Sequence, residues 1–221
     1  MLIKKSVLAI AALSLSAAAI ANDGAYGVPS NPSFSSDSGF VVGIQGGYGD
    51  NHWGDYSPYG SLSSFPGNNI STSGFAARGY VGFDFNQYIG LETGYTYLPT
   101  TDVTLFTGVP QFNIKSYAID LLAKLSVPIT NVFGLYAKAG GSYLHSNFSN
   151  SLAAPAGDSS SSNIGPAFGV GAEYEVIPNL AIDLSWMRFS GQSNQSVGES
   201  YQPSPDVVLL GISYKFPVSY S

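Results

Sequence analysis

The chain has 221 residues with 15 Tyr, 13 Phe, 2 Trp, 26 Gly and no Cys, and only 10% of its residues are charged. So aromatic and apolar a sequence is not disordered, and the lack of cysteine excludes a disulfide framework, thiolate metal sites and a cysteine nucleophile. A net charge of −6 excludes the basic face that nucleic-acid binding requires.

Met1 to Ala21 reads as a secretory leader: Lys4 and Lys5 form the charged start, Val7 to Ala19 the apolar run, and Ala19-Ile20-Ala21 a small-x-small cleavage site. The run is shorter than the ~20 residues of a membrane-spanning helix, and no later stretch is long and apolar enough to replace it. Removing the leader leaves 6 basic against 14 acidic residues. Asn22 to Ser38, rich in Ser, Pro and Gly, is expected to be a flexible lead-in.

From Gly39 to Phe216 large apolar residues alternate with small or polar ones, the period of a strand with two unlike faces. Leu180-Ala181-Ile182-Asp183-Leu184-Ser185-Trp186 is a clear instance. Eight such segments are predicted, at about 39–49, 73–85, 89–98, 113–127, 133–147, 164–176, 180–190 and 206–216. Short connections around Asn86-Gln87-Tyr88, Pro128 to Val132 and Ile177-Pro178-Asn179 alternate with long ones at about 50–72, 99–112, 148–163 and 191–205. Antiparallel neighbours then collect the long loops at one end and the tight turns at the other. Pairing Phe85 with Ile89, Val127 with Phe133 and Val176 with Leu180 keeps both partners on the apolar face.

The small and polar face holds too many glycines for a solvated surface. Gly165, Ala167, Gly169, Gly171 and Glu173 share one side of a single segment, opposite Pro166, Phe168, Val170, Ala172 and Tyr174. Small residues mixed with charges suit the interior of a narrow barrel, and the apolar face then meets lipid. Closure is required because hydrocarbon cannot satisfy an open sheet edge. The predicted fold is an all-β, eight-stranded antiparallel up-and-down transmembrane barrel, with aromatic girdles that include Tyr48, Tyr95, Tyr117 and Tyr143 near the long loops. A soluble lipocalin-like binder would carry the apolar parity inside instead.

The predicted domains are 1–21 leader, 22–38 flexible segment, 39–216 barrel and 217–221 extension. The glycine-rich opening Gly43-Ile44-Gln45-Gly46-Gly47-Tyr48, the segment Arg78-Gly79-Tyr80-Val81-Gly82-Phe83 and the ending Gly211-Ile212-Ser213-Tyr214-Lys215-Phe216 resemble the OmpA-like and opacity-type outer-membrane barrels. That resemblance implies a cell outer-membrane location in a Gram-negative bacterium and contact with outer-membrane lipid and lipopolysaccharide. It also implies insertion by the barrel-assembly machinery, with Gly211, Tyr214 and Phe216 at the positions of its recognition signal. Leu209 departs from the pattern, where a polar residue is usual, and Pro217 to Ser221 extend past the terminal aromatic. The family's peptidoglycan-binding domain is not expected after the barrel.

By parity the inward charges are Arg78, Lys124, Lys138 and Lys215 against Asp84, Glu92, Asp120, Glu173, Glu175 and Asp183. In a barrel this narrow they should form an ionic plug. Glu173 is expected directly opposite Asp183, with Lys215 or Arg78 as the shared cation. A small gated ion channel using Arg78, Glu92, Asp120, Lys124 and Lys138 is the alternative to a plug. Arg188 falls on the lipid face near the loop end, where it can snorkel to headgroups.

His52 and His145 are the only histidines, and no G-x-S-x-G motif surrounds a serine, so no catalytic residue is assigned. His145 is expected to cap a strand and His52 to lie in a loop. Asp50, Asp55, Asp102, Asp158 and Glu199 lack metal-ligand spacing, and no cofactor or metal is expected. The long loops carry Trp53, Tyr56, Tyr59, Phe65, Phe106, Phe112 and Tyr201 among Ser, Gly and Asn, a composition suited to recognising a host or extracellular surface ligand and equally to hydrophilic caps that keep the barrel oriented.

Overall fold

The computed structural model describes residues 38–52, 69–104, 110–150, 159–191 and 204–218. Ten strands follow one another: β1 (Gly39–Asp50), β2 (Asn69–Ser71), β3 (Ser73–Asp84), β4 (Ile89–Tyr97), β5 (Thr101–Thr104), β6 (Pro110–Pro128), β7 (Phe133–Asn150), β8 (Ser159–Ile177), β9 (Leu180–Phe189) and β10 (Asp206–Pro217). All except β2 and β5 build a barrel in which each strand pairs antiparallel with its neighbours. The ring closes where β1 meets β10, from Gly39 opposite Pro217 to Asp50 opposite Asp206. Every backbone group of these two strands thereby has a neighbour to pair with, the condition for crossing hydrocarbon.

Alternation sets the two faces. Phe40, Val42 and Ile44 on β1 and Leu121, Leu125 and Val127 on β6 point outward and are exposed. Their intervening neighbours Gln45, Leu122 and Asp120 are buried inside. Apolar side chains on the outside of a closed sheet exclude the lipocalin-like arrangement and leave lipid as the medium that covers them. The interior is crowded enough to need missing side chains: a Cβ at Gly43 would strike the Tyr80 ring, and one at Gly171 the Tyr136 hydroxyl.

Eight segments fall where alternation placed them, but three run longer. β6, β7 and β8 span 19, 18 and 19 residues, against 9 to 12 for the other barrel strands. They continue past the barrel rim as a wall, and β5 and β2 add to its β6 edge. Asn69–Ser71, Thr101–Thr104, Pro110–Phe112, Phe148–Asn150 and Ser159–Asn163 fall in segments expected as loop and are strand instead. Past the rim polar residues stand on both sides, Asn147 and Ser160 exposed on the outer face and Ser146 and Ser161 buried on the inner one, so the alternation signal vanishes.

Two of the three tight turns differ in detail. Phe85 donates its N–H to the Ile89 carbonyl (2.9 Å), as expected. Val127 pairs with Leu135 rather than Phe133, because Thr130 Oγ1 accepts the N–H groups of Val132 and Phe133 and closes a tighter loop after Ile129. That slip of two residues preserves parity. Leu180 pairs with Ile177 rather than Val176, across an irregularity after Glu175, and Asn179 supplies the left-handed backbone (φ 69°) that the short turn requires.

Candidate functional site

The short-turn half of the barrel interior holds the charges. β3 aims Arg78 inward, where Nη1 lies 2.8 Å from Glu92 Oε1 on β4 and Nη2 lies 2.7 Å from Asp120 Oδ1 on β6. Lys138 on β7 reaches the other oxygen of Glu92, Oε2, at 2.9 Å, so one carboxylate bridges two cations. The side chains of all four are at most 5% exposed. Two rings complete the cage: the Lys138 ammonium lies 5.0 Å from the Tyr80 centroid and 4.6 Å from that of Tyr136. Buried charges at this density persist only when each is paired, and the ring faces supply further negative potential to the cations.

Nearer the short turns, Lys124 Nζ lies 2.7 Å from Glu173 Oε2, and Lys215 Nζ lies 3.6 Å from Asp84 Oδ2. These groups and Glu175 line an open cavity of about 60 Å³. Glu173 does stand directly opposite Asp183, as the parity argument required. Neither Lys215 nor Arg78 is the cation that relieves this pair. Lys124 holds Glu173, while the Tyr136 hydroxyl donates to both oxygens of Asp183 (2.8 and 2.9 Å) and the Gln45 amide donates to one. Neutral donors thus replace the expected cation, and carboxylates that face each other are satisfied from opposite sides.

The long-loop half is different. Leu98, Ala118, Leu144, Met187, Phe189, Val207 and Leu209 point inward there and are at most 2% exposed, in one contiguous cluster. Leu209, anomalous against the family's usual pattern, belongs to this apolar layer. The inner face is therefore charged only over part of its height, since the long-loop half mixes this cluster with uncharged residues such as Thr96, Ser116 and Ser146; parity marks the charges but not the large apolar residues that share their face. Gln45, Tyr80 and Tyr136 were legible by the same parity and were passed over for carrying no charge.

Other sites fall into place. Tyr214 and Phe216 face outward and pack edge to face at 4.7 Å, and Gly211 sits where a Cβ would meet the Ile44 carbonyl. Arg188 lies 3.7 Å from Asp206 near the loop end. His52 follows β1 with φ 53° and lies 3.7 Å from Asp206. His145 caps nothing: it lies within β7 on the outer face. Trp53, Tyr56, Tyr59, Phe65, Phe106 and Tyr201 lie outside the described residues, as does the side chain of Phe112. No group of three or more potential metal ligands converges among the described residues.

A closed antiparallel ring with an apolar exterior and a buried ionic interior defines an integral outer-membrane β-barrel. Residues 36–219 match the OmpA-like transmembrane domain, and the chain belongs to that family. An uncharacterized protein of Coxiella burnetii is 29% identical over 95% of this chain and 97% of its own length. Outer membrane protein A of Klebsiella aerogenes is 30% identical over 74% of this chain and 46% of its own length, so the chain spans about half of that relative. Among solved structures, Neisserial surface protein A shares the fold, with a TM-score of 0.57 and 20% identity over 80% of this chain and 97% of that one. The protein resides in the outer membrane.

Proposed function

We propose that this barrel is a structural surface protein whose long-loop end recognises a host or extracellular molecule. The observation that supports this reading is the wall: β6, β7 and β8 carry strand pairing past the rim at the long-loop end, while the other barrel strands are shorter. In this reading the ionic cage is a plug, and the apolar layer above it is a dry stopper that a hydrated ion would have to cross. Residues 1–21 serve as a removable export leader and 22–38 as a lead-in, and because β10 runs to Pro217 the extension is 218–221. Gly211, Tyr214 and Phe216 present the assembly signal to the barrel-assembly machinery, and the outward aromatics contact lipid and lipopolysaccharide.

Planar-bilayer recording of the refolded mature chain, its folding verified by heat-modifiable gel mobility, tests the plug. The expected trace is silent, and Lys138→Ala changes stability alone. Discrete openings whose conductance changes in Lys138→Ala would replace this reading with the gated channel. Removal of Tyr214 to Ser221 is expected to lower outer-membrane levels; undiminished levels would dismiss the assembly signal.

A further inference from the structure

The outer face of the wall carries an arrangement that none of the interior chemistry uses. His145 on β7 and Ser162 on β8 are direct cross-strand partners. Ser162 Oγ lies 2.7 Å from His145 Nδ1, and His145 Nε2 lies 3.0 Å from Asn147 Oδ1, two residues along the same face. Because that amide oxygen only accepts, Nε2 carries the proton and Nδ1 offers its lone pair to the Ser162 hydroxyl. The ring is held by Tyr117 at 5.1 Å and Tyr143 at 6.2 Å. Tyr143 also donates its hydroxyl to Ser162 Oγ at 2.9 Å. A nucleophile, a base in the correct tautomer and a group orienting that base are the parts of a hydrolytic triad, which is recognised by geometry rather than by sequence order.

Depth on the wall indicates the substrate. Ile164, two residues from Ser162 toward the barrel on the same face, is 80% exposed, an apolar side chain that suits a lipid-facing position. Tyr95 and Tyr117 stack at 5.5 Å on the neighbouring strands, as rings do at an interface between hydrocarbon and headgroups. Lys115, paired with Asn147, is exposed one step further out, at headgroup height. The acyl esters of membrane lipids lie between these two levels.

We propose that Ser162, His145 and Asn147 form a site that cleaves acyl esters of outer-leaflet lipids. Ser162 Oγ attacks the ester carbonyl as its proton passes to His145 Nδ1. The carbon–oxygen bond to the lipid alkoxide then breaks, and that alkoxide leaves with the proton from His145. Water, giving a proton to the same nitrogen, attacks the acyl-serine, and the fatty acid departs as Ser162 takes the proton back. Tyr143, freed from Ser162 Oγ once that oxygen bonds carbon, is the donor for the oxyanion. Asn147 is a positioning residue, acting only through His145. The site depends on the barrel's place in the membrane and is independent of the surface-recognition role.

The full chain, refolded and checked by heat-modifiable mobility, is treated with a fluorophosphonate and mapped by mass spectrometry. The expected adduct is on Ser162, absent in Ser162→Ala and formed about 100-fold or more slowly in His145→Ala. Asn147→Ala is expected to slow labelling and shift its pH profile, and Asn147→Asp to restore both; an unaltered profile in Asn147→Ala would remove Asn147 from the assignment. Fatty-acid release is then followed from phosphatidylethanolamine vesicles and from vesicles containing lipid A, which separates the two sources of ester. Labelling of Ser162 no faster than of other serines, release equal in Ser162→Ala, or no release from either vesicle in a correctly folded protein would overturn the proposal. Silent bilayer recordings or absent ligand binding leave it intact.

Discussion

The two halves of the barrel interior lie on the same strands and are held by different physics. On β9, Asp183 near the short turn is buried by hydrogen bonds, while Met187 and Phe189 near the long loop are buried by packing. On β10, Lys215 and Leu209 make the same contrast. The ionic half is directional, because Glu92, Asp120 and Asp183 are each held by donors at hydrogen-bonding distance. The apolar half is tolerant of direction but sensitive to volume. Placing the apolar layer between the charges and the outside keeps the ion pairs dry on that side, where a low dielectric strengthens each of them.

Substitutions that act on one half and spare the other test this contrast. Arg78→Ala leaves Asp120 buried without its cation and Glu92 with Lys138 alone, and should cost about 3–5 kcal/mol in urea unfolding from micelles. A loss no greater than that of a rim substitution would mean that water enters the cage freely. Leu209→Ala should cost about 2–5 kcal/mol through the cavity it opens, with the bilayer trace still silent. Openings in that variant would identify the apolar layer as the barrier to ions. Gly43→Ala, whose methyl group would strike Tyr80, should cost about 1–3 kcal/mol, and Tyr80→Leu in the same chain should recover much of it. Additive losses would show that the ring already has room to move. Lys215→Ala is expected to be the mildest, since its pair with Asp84 is longer, at 3.6 Å, and more exposed than the pairs of the cage. Comparison with Arg78→Ala then measures how far burial amplifies an ion pair within one barrel.

The charged members of the cage were readable in advance because a period of two fixes the face of every residue once one face is known. Arg78, Glu92, Asp120 and Lys138 all follow from that parity. Their pairing did not, because cross-barrel distances depend on how far the strands are staggered around the ring, and Tyr136 rather than a cation proved to be the partner of Asp183. Val207 and Leu209 broke the association of inward with polar, since the inner face need only be filled and nothing in the period says with what. His145, Ser162 and Asn147 were each visible as residues, but β7 and β8 were expected to end near the point where the three meet.

The sequence by itself determined the number of membrane strands, their faces and the separation of tight turns from long loops, because alternation is local and lipid enforces it on every outward position. Only the tertiary structure decided the turn registers, the height of the wall, the layering of the interior and the serine beside His145. Those depend on contacts between strands distant in the chain, and outside the membrane no single solvent face remains to impress its pattern on the residues.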